Sequence, residues 1–215
     1  LYILAITSLG VYGIVFAGWA SNNKFGLMGG LRSSSQMLSY ELPMGLAVAS
    51  ALVLGGSLRL HDIVEAQAKL PFIVQNPIGF LLFIICGLAE INRAPFDLPE
   101  AESELIAGFH TEYASMKFAM FFMAEYINML TMSSLATVLF LGGWSGPVLP
   151  VLPWVWPVLW FTLKVAGFVL LFIWIRATWH RFRYDKLMKF GWKFLLPLAL
   201  VNVMVIAALK LWVIK

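Results

Sequence analysis

The sequence is poor in charge. Asp, Glu, Lys and Arg make up 12% of its 215 residues, where soluble domains carry about 25%. That excludes an ordinary water-soluble domain. With 61% hydrophobic residues and a mean hydropathy of +0.85, the solvent the chain is built for is a bilayer. Cysteine is nearly absent too. Cys86 stands alone in an apolar run, so no intrachain disulfide can form. An iron–sulfur cluster held by this chain alone is also excluded, since such clusters take several thiolates. Cys86 reads as a small buried apolar residue. Neither GxGxxG nor GxxxxGK[ST] occurs, so no familiar phosphate-binding loop is present. The paired glycines of "MGG" at 28–30 read as a loop turn. His61, His110 and His180 have no metal-ligand spacing, and no metal site is expected. The net charge of +4 is small and dispersed, which does not point to nucleic acid. The chain opens at Leu1, inside an apolar run, without the charged region and cleavage site of a signal peptide. A truncated N-terminus is the expectation.

What is present is a set of long apolar runs. Six approach the roughly 20 residues that the hydrocarbon core requires, at about 1–20, 34–58, 72–92, 117–141, 154–177 and 190–213. With no water available to backbone groups, such runs are expected to be helices. The expected fold is all-α, a polytopic transmembrane bundle forming one domain over 1–215, without internal repeats. Loops one, three and five hold Lys24, Arg32, Arg93, Lys117, Arg176, Arg181, Arg183, Lys186, Lys189 and Lys193. The opposite side holds only Arg59, Lys69, Lys210 and Lys215. The excess places loops at about 21–33, 93–116 and 178–189 on the cytoplasmic side or its equivalent. The uncharged, tryptophan- and proline-rich stretch 143–157 reads as an outer interfacial turn. The basic segment "RFRYDKLMKFGWK" at 181–193 reads as an inner orientation anchor or a docking segment for a partner protein.

The acids are placed unusually. Six of the eleven lie within "GLAEINRAPFDLPEAESELIAGFHTEY" at 87–113. Three carboxylates fall inside the expected spans: Glu41, Glu90 and Glu125. An ionisable residue in a helix core costs about 2.5–3.5 kcal/mol or more and marks a functional site by default. Counted from the nearest loop cation at 1.5 Å per residue, Glu90 lies about 5 Å deep, Glu125 about 12 Å and Glu41 about 13 Å. All three are expected in the inner half of the bundle, on three helices, as a hydrated acidic path leading in from loop three. Lys164, the deepest basic residue, is expected as a counter-charge or proton-exchanging partner. Tyr40 and Tyr126 adjoin two of the glutamates and offer hydroxyls to a proton chain. The competing reading is structural: the acids pair with Arg32, Arg93 or Lys164 and pin the bundle. Burial tunes carboxylates for proton exchange, which favours proton handling.

At these residues a resemblance enters. "AEINRAPFDLPEAESELIAGFHTEY" resembles the signature loop of the H-subunit family of respiratory complex I, the proton-pumping NADH:quinone oxidoreductase (NuoH in bacteria, NdhA in cyanobacteria and plastids, the first ND subunit in mitochondria). "GGLRSSSQMLSYELPMG", "MAEYINM" and "RFRYDKLM" resemble three further signatures. Family members are longer at the N-terminus, and this chain resembles their last six spans. The resemblance implies a membrane subunit of a translocase, with no complete active site in this chain. Its substrate would be a quinone (ubiquinone, menaquinone or plastoquinone), with flavin and iron–sulfur clusters in partner subunits. It implies that acids matching Glu41, Glu90 and Glu125 line a hydrophilic path. It also implies that the loop with Arg93, Asp97, Glu100, Glu102, Glu104 and Glu112 borders the quinone cavity, with Arg32 beside it. The implied partners are the quinone-module subunits of the peripheral arm, the small membrane-arm subunits and the lipid bilayer. A bacterial inner membrane is the expected location, with mitochondrial inner and thylakoid membranes as alternatives. Three other readings stand beside it: a homologous component of a membrane-bound hydrogenase or formate hydrogenlyase, a stand-alone secondary transporter, and a purely structural anchor. A transporter would be expected to show repeats and broken midplane helices.

Overall fold

The computed structural model describes residues 2–93, 95–97, 112–147, 154–180 and 182–214. Glu100, Glu102 and Glu104 lie outside the described residues. The chain is helical, with no strand among the described residues. The helices are α1 (Tyr2–Ala20), α2 (Lys24–Gly55), α3 (Leu60–Ala66), α4 (Phe72–Gln75), α5 (Pro77–Glu90), α6 (Met116–Phe140), α7 (Val155–Thr178), α8 (Tyr184–Phe190) and α9 (Leu196–Ile214). The long helix α2 is the hub: α1, α5 and α9 all pack on it, while α7 packs on α6.

Among the described residues, four helical segments are long and apolar enough to cross a membrane: α1, α2, α7 and the continuous rod Tyr184–Trp212. The expected spans at 72–92 and 117–141 fall short, for two different reasons. Asn76 and Pro77 break the first, leaving α5 with 14 residues, about 21 Å of helix. The second has the length, at 25 residues. However, Glu125, Asn128, Ser133, Ser134 and Thr137 make it more polar.

The glycines near 26–30 are not a loop turn. Helix α2 begins ten residues earlier than expected, because the Asn23 side chain accepts from the Phe25 N–H at 3.1 Å and caps it. The glycines then become a packing stripe. A Cβ at Gly18 would stand 2.7 Å from the Gly26 carbonyl oxygen, and one at Gly30 3.1 Å from that of Ile14. Small residues therefore let α1 and α2 touch backbone to backbone. Arg32 thus lies within a helix rather than in loop one. Glu41 sits near the midpoint of α2, farther from the helix start than its distance from Arg32 implied.

At the other end of the chain, Pro197 lacks an N–H and cannot bond the Lys193 carbonyl. The backbone relaxes into one π turn over Gly191–Leu195, in which the Leu196 N–H reaches the Gly191 carbonyl.

Contacts show which connections share an end of the bundle. At one end, the Tyr113 hydroxyl donates to the Ala17 carbonyl (2.9 Å) and the Phe182 N–H to that of Pro95 (3.2 Å). Ser35 meets Tyr184 at 3.1 Å. At the opposite end, His61 lies against Trp144, and buried Gln67 joins three segments. Its amide donates to the Ile63 and Val138 carbonyls (3.1 and 2.9 Å), and its oxygen accepts from the Phe72 and Gly142 N–H groups (3.3 and 2.9 Å). The described parts of the connections at 21–23, 91–97 and 179–183 therefore lie together at one end of the bundle.

Candidate functional site

The polar residues singled out in the sequence converge where α5 ends. Helix α5 stops at Glu90. Asn92 then takes a left-handed conformation (φ 55°), and the Phe96 N–H closes a turn onto the Arg93 carbonyl at 2.8 Å. This tight corner holds three ionisable side chains, Glu90, Arg93 and Asp97, within a few residues. Glu90 is 4% exposed, and its Oε2 has no hydrogen-bond partner among the described residues. Glu41, on the facing helix α2, is close enough for the two charges to interact. Asp97 is buried at the far side of the corner.

Arg93 carries the corner across to α6. Its Nη2 lies 3.0 Å from Glu125 Oε2, with both side chains largely buried. Its guanidinium also stacks over the Tyr126 ring, 4.6 Å from the centroid. The contact to Glu125 is an ion pair without hydrogen-bond alignment. The stack adds a cation–π attraction that a lysine would supply less well. Glu41, Glu90 and Glu125 are thus brought to one region: the first two as neighbours, the third through Arg93.

The other residues have different surroundings. The Tyr40 hydroxyl donates to the Leu187 carbonyl at 3.0 Å, and its ring packs on Phe96. Tyr40 therefore ties α8 and the corner to α2. Arg32 lies over the Tyr184 ring, 5.9 Å from the centroid. Glu112 accepts from the Asn23 side chain at 2.9 Å, beside the α1–α2 turn and exposed. Lys164 is at the opposite end of the bundle from the acids. Its ammonium donates to the carbonyls of Leu141, Gly143 and Ser145 at 2.8–2.9 Å. Three donors meet three acceptors, and a neighbouring helix closes the C-terminus of α6. Lys210 does the same for α2, donating to the Val53 carbonyl and to that of Leu54 at 3.1 Å.

One polar residue of this region escaped the sequence reading. Gln36 is wholly buried and donates to main-chain oxygens on both sides of the corner. The available signal was a carboxamide in a helix flanked by apolar and small residues, which a search for charge passes over.

Cavities open on the site among the described residues. One of about 200 Å³ is lined by Arg93, Tyr126, Met129, Phe172 and Arg176. A larger groove of about 1000 Å³ runs between α1, α2 and α9, with Glu41 as its one acidic lining residue among those described. Among the described residues, no three His, Cys, Asp or Glu side chains converge on a metal position.

The profile of the NADH dehydrogenase family matches residues 1–207. The chain belongs to this family. An NADH-quinone oxidoreductase H subunit of Geobacter sulfurreducens is 58% identical over 207 residues, covering 95% of this chain and 58% of the relative. That of Protochlamydia amoebophila is 56% identical over 206 residues, covering 96% and 62%. That of Syntrophobacter fumaroxidans is 54% identical over 212 residues, covering 99% and 62%. This NADH dehydrogenase family chain thus spans about three fifths of the length of these relatives. The acidic corner, the Arg93 bridge and both cavities lie within the matched region.

Proposed function

We propose that the chain is the membrane subunit of a proton-translocating NADH:quinone oxidoreductase, forming part of the quinone cavity and the acidic path that couples quinone reduction to pumping. The observation that carries this reading is the Arg93 bridge. One cation faces the 200 Å³ cavity and also holds Glu125, while Glu90 and Glu41 stand behind the same corner. A charge change in the cavity is then felt first at Arg93 and Glu125. At an effective dielectric near 20, a pair about 4 Å apart interacts by about 4 kcal/mol, enough to move a proton equilibrium by orders of magnitude.

Reduction of a quinone to the quinol takes two electrons and two protons. In this reading the electrons come from an iron–sulfur cluster of a partner protein. Arg93 and Arg176 supply hydrogen-bond donors to the cavity that admits the quinone. Asp97 and the acids at 100, 102, 104 and 112 give loop three its negative field, with Arg32 at its border. Glu125, Glu90 and Glu41 carry the response inward. The peripheral-arm quinone module docks at the end bearing loops one, three and five, which is the cytoplasmic face of a bacterial inner membrane. The small membrane-arm subunits cover the apolar groove beside Glu41.

Membrane vesicles test this. Glu41→Gln and Glu90→Gln keep the shape of each side chain and remove its titrating proton. Each is expected to lower quinone-coupled proton translocation by about tenfold or more, while NADH oxidation by a water-soluble acceptor stays at the wild-type rate. Unchanged translocation in both variants would refute the path.

A further inference from the structure

Gln36 is fully buried in α2, with 0% exposure. Its Nε2 donates to the Ala89 carbonyl at 3.0 Å and to the Phe96 carbonyl at 2.8 Å. A carboxamide nitrogen has two hydrogens, so both are committed. A longer approach to Asn92 Oδ1, at 3.5 Å, lies at the limit of bonding. Ala89 immediately precedes Glu90, and Phe96 follows Arg93 by three residues. One side chain thus holds both ends of the segment that carries Glu90 and Arg93.

The geometry explains why a polar residue stands there. Helix α5 ends with carbonyls that have no intrahelical donor, and no water replaces one in an apolar interior. The Gly87 carbonyl takes the Ile91 N–H, whereas that of Ala89 receives Gln36. The second bond, to Phe96, does nothing for the helix end. Its effect is to fix the width of the corner. Asn92 reinforces the same junction, with its amide 3.5 Å from the sulfur of Met37, the residue after Gln36. A buried carboxamide is costly unless bonded. An apolar side chain of equal length would fill the volume but leave two carbonyls without donors.

We propose that Gln36 is a positioning residue of the acidic path: by clamping the Ala89 and Phe96 carbonyls to α2, it sets where Glu90 points and how Arg93 reaches Glu125. It touches none of the reacting groups and acts through the corner. The role in coupling rests on the function proposed above; the clamp itself does not.

The test uses the whole complex in native membranes, with Gln36→Leu and Gln36→Glu. The leucine removes both donors at similar volume. The carboxylate keeps the acceptor and loses the donors, and it serves if the leucine variant fails to assemble. With assembly verified by NADH oxidation through a soluble acceptor, amide hydrogen exchange at 89–93 should accelerate about tenfold or more, the equivalent of one lost net hydrogen bond. Quinone-coupled translocation should fall about tenfold, since small misplacements at a reacting centre are costly. Adding either Gln36 substitution to Arg93→Gln should cause little further loss of translocation, because Gln36 acts through the placement of Arg93. Unchanged exchange at 89–93 would overturn the clamp whatever the acids do. Accelerated exchange with unaltered translocation, or losses that multiply in the double variant, would overturn its role in coupling. If Glu41→Gln and Glu90→Gln leave translocation unchanged while exchange accelerates in the Gln36 variants, the path fails and the clamp is supported.

Discussion

Arg93→Met will release Glu125 from its buried cation. Both side chains of this pair are largely buried, at 10% and 18% exposure, so solvent cannot readily take over from the lost partner. Removing one member of a buried ion pair costs about 3–5 kcal/mol, because the other charge stays behind. The expected result is a sharp fall in assembled complex after detergent extraction and a lower unfolding temperature. Neutralising both members removes the buried carboxylate charge together with its cation, so Arg93→Met with Glu125→Gln should recover part of that stability. Arg93→Lys should fall between, keeping the charge and weakening the stack on Tyr126, whose ring lies 4.6 Å from the guanidinium. Wild-type thermal stability in Arg93→Met would mean that the pair is not structural. Recovered stability without recovered quinone activity in the double variant would separate the two roles of Arg93.

The second large effect is expected at the other end of the bundle. Lys164→Met keeps length and apolar bulk but leaves the carbonyls of Leu141, Gly143 and Ser145 without their donor. An unsatisfied buried carbonyl costs about 1–3 kcal/mol. Lys164 is only half-buried, so water recovers part of this, and a net loss of about 3 kcal/mol is expected. Two readings of Lys164 make opposite forecasts. As a cap, its loss lowers the stability of the complex and leaves protons moved per electron unchanged in the molecules that survive. As a counter-charge to the acids, its loss would leave stability nearly intact and alter that ratio. Both quantities can be measured on one vesicle preparation.

The contrast between Lys164 and Glu90 shows what the sequence conveyed. A charge in an apolar run announces its depth, because rise per residue is fixed. It says nothing of which neighbour its helix turns toward. Glu41, Glu90 and Glu125 stand out by depth alone, and their convergence depends only on three helices meeting at loop three. The pairing of Arg93 with Glu125 rather than with Glu90 required the left-handed Asn92, whose turn swings the next residue away from α5. The glycines at 26–30 mislead for a related reason. Glycine marks a turn in water, yet in a bilayer it equally marks a close helix crossing, and only the facing Gly18 decides between them. Gln36 carries no charge to draw notice. The helix breaks have a plainer mark in the sequence: Pro77 shortens α5, and Pro197 opens the π turn that brings the Trp192 indole to Ser39 at 3.1 Å.

The lysine caps bear on how the chain is put together as it is made. Helix α2 is synthesised well before α9, yet the ammonium that closes its last carbonyls belongs to Lys210, 156 residues beyond Leu54. Until α9 enters the bilayer, those carbonyls depend on lipid headgroups or on the insertion machinery. Closure of the hub helix therefore waits for α9, and a chain halted before Lys210 would present an open end to the quality-control proteases of its membrane.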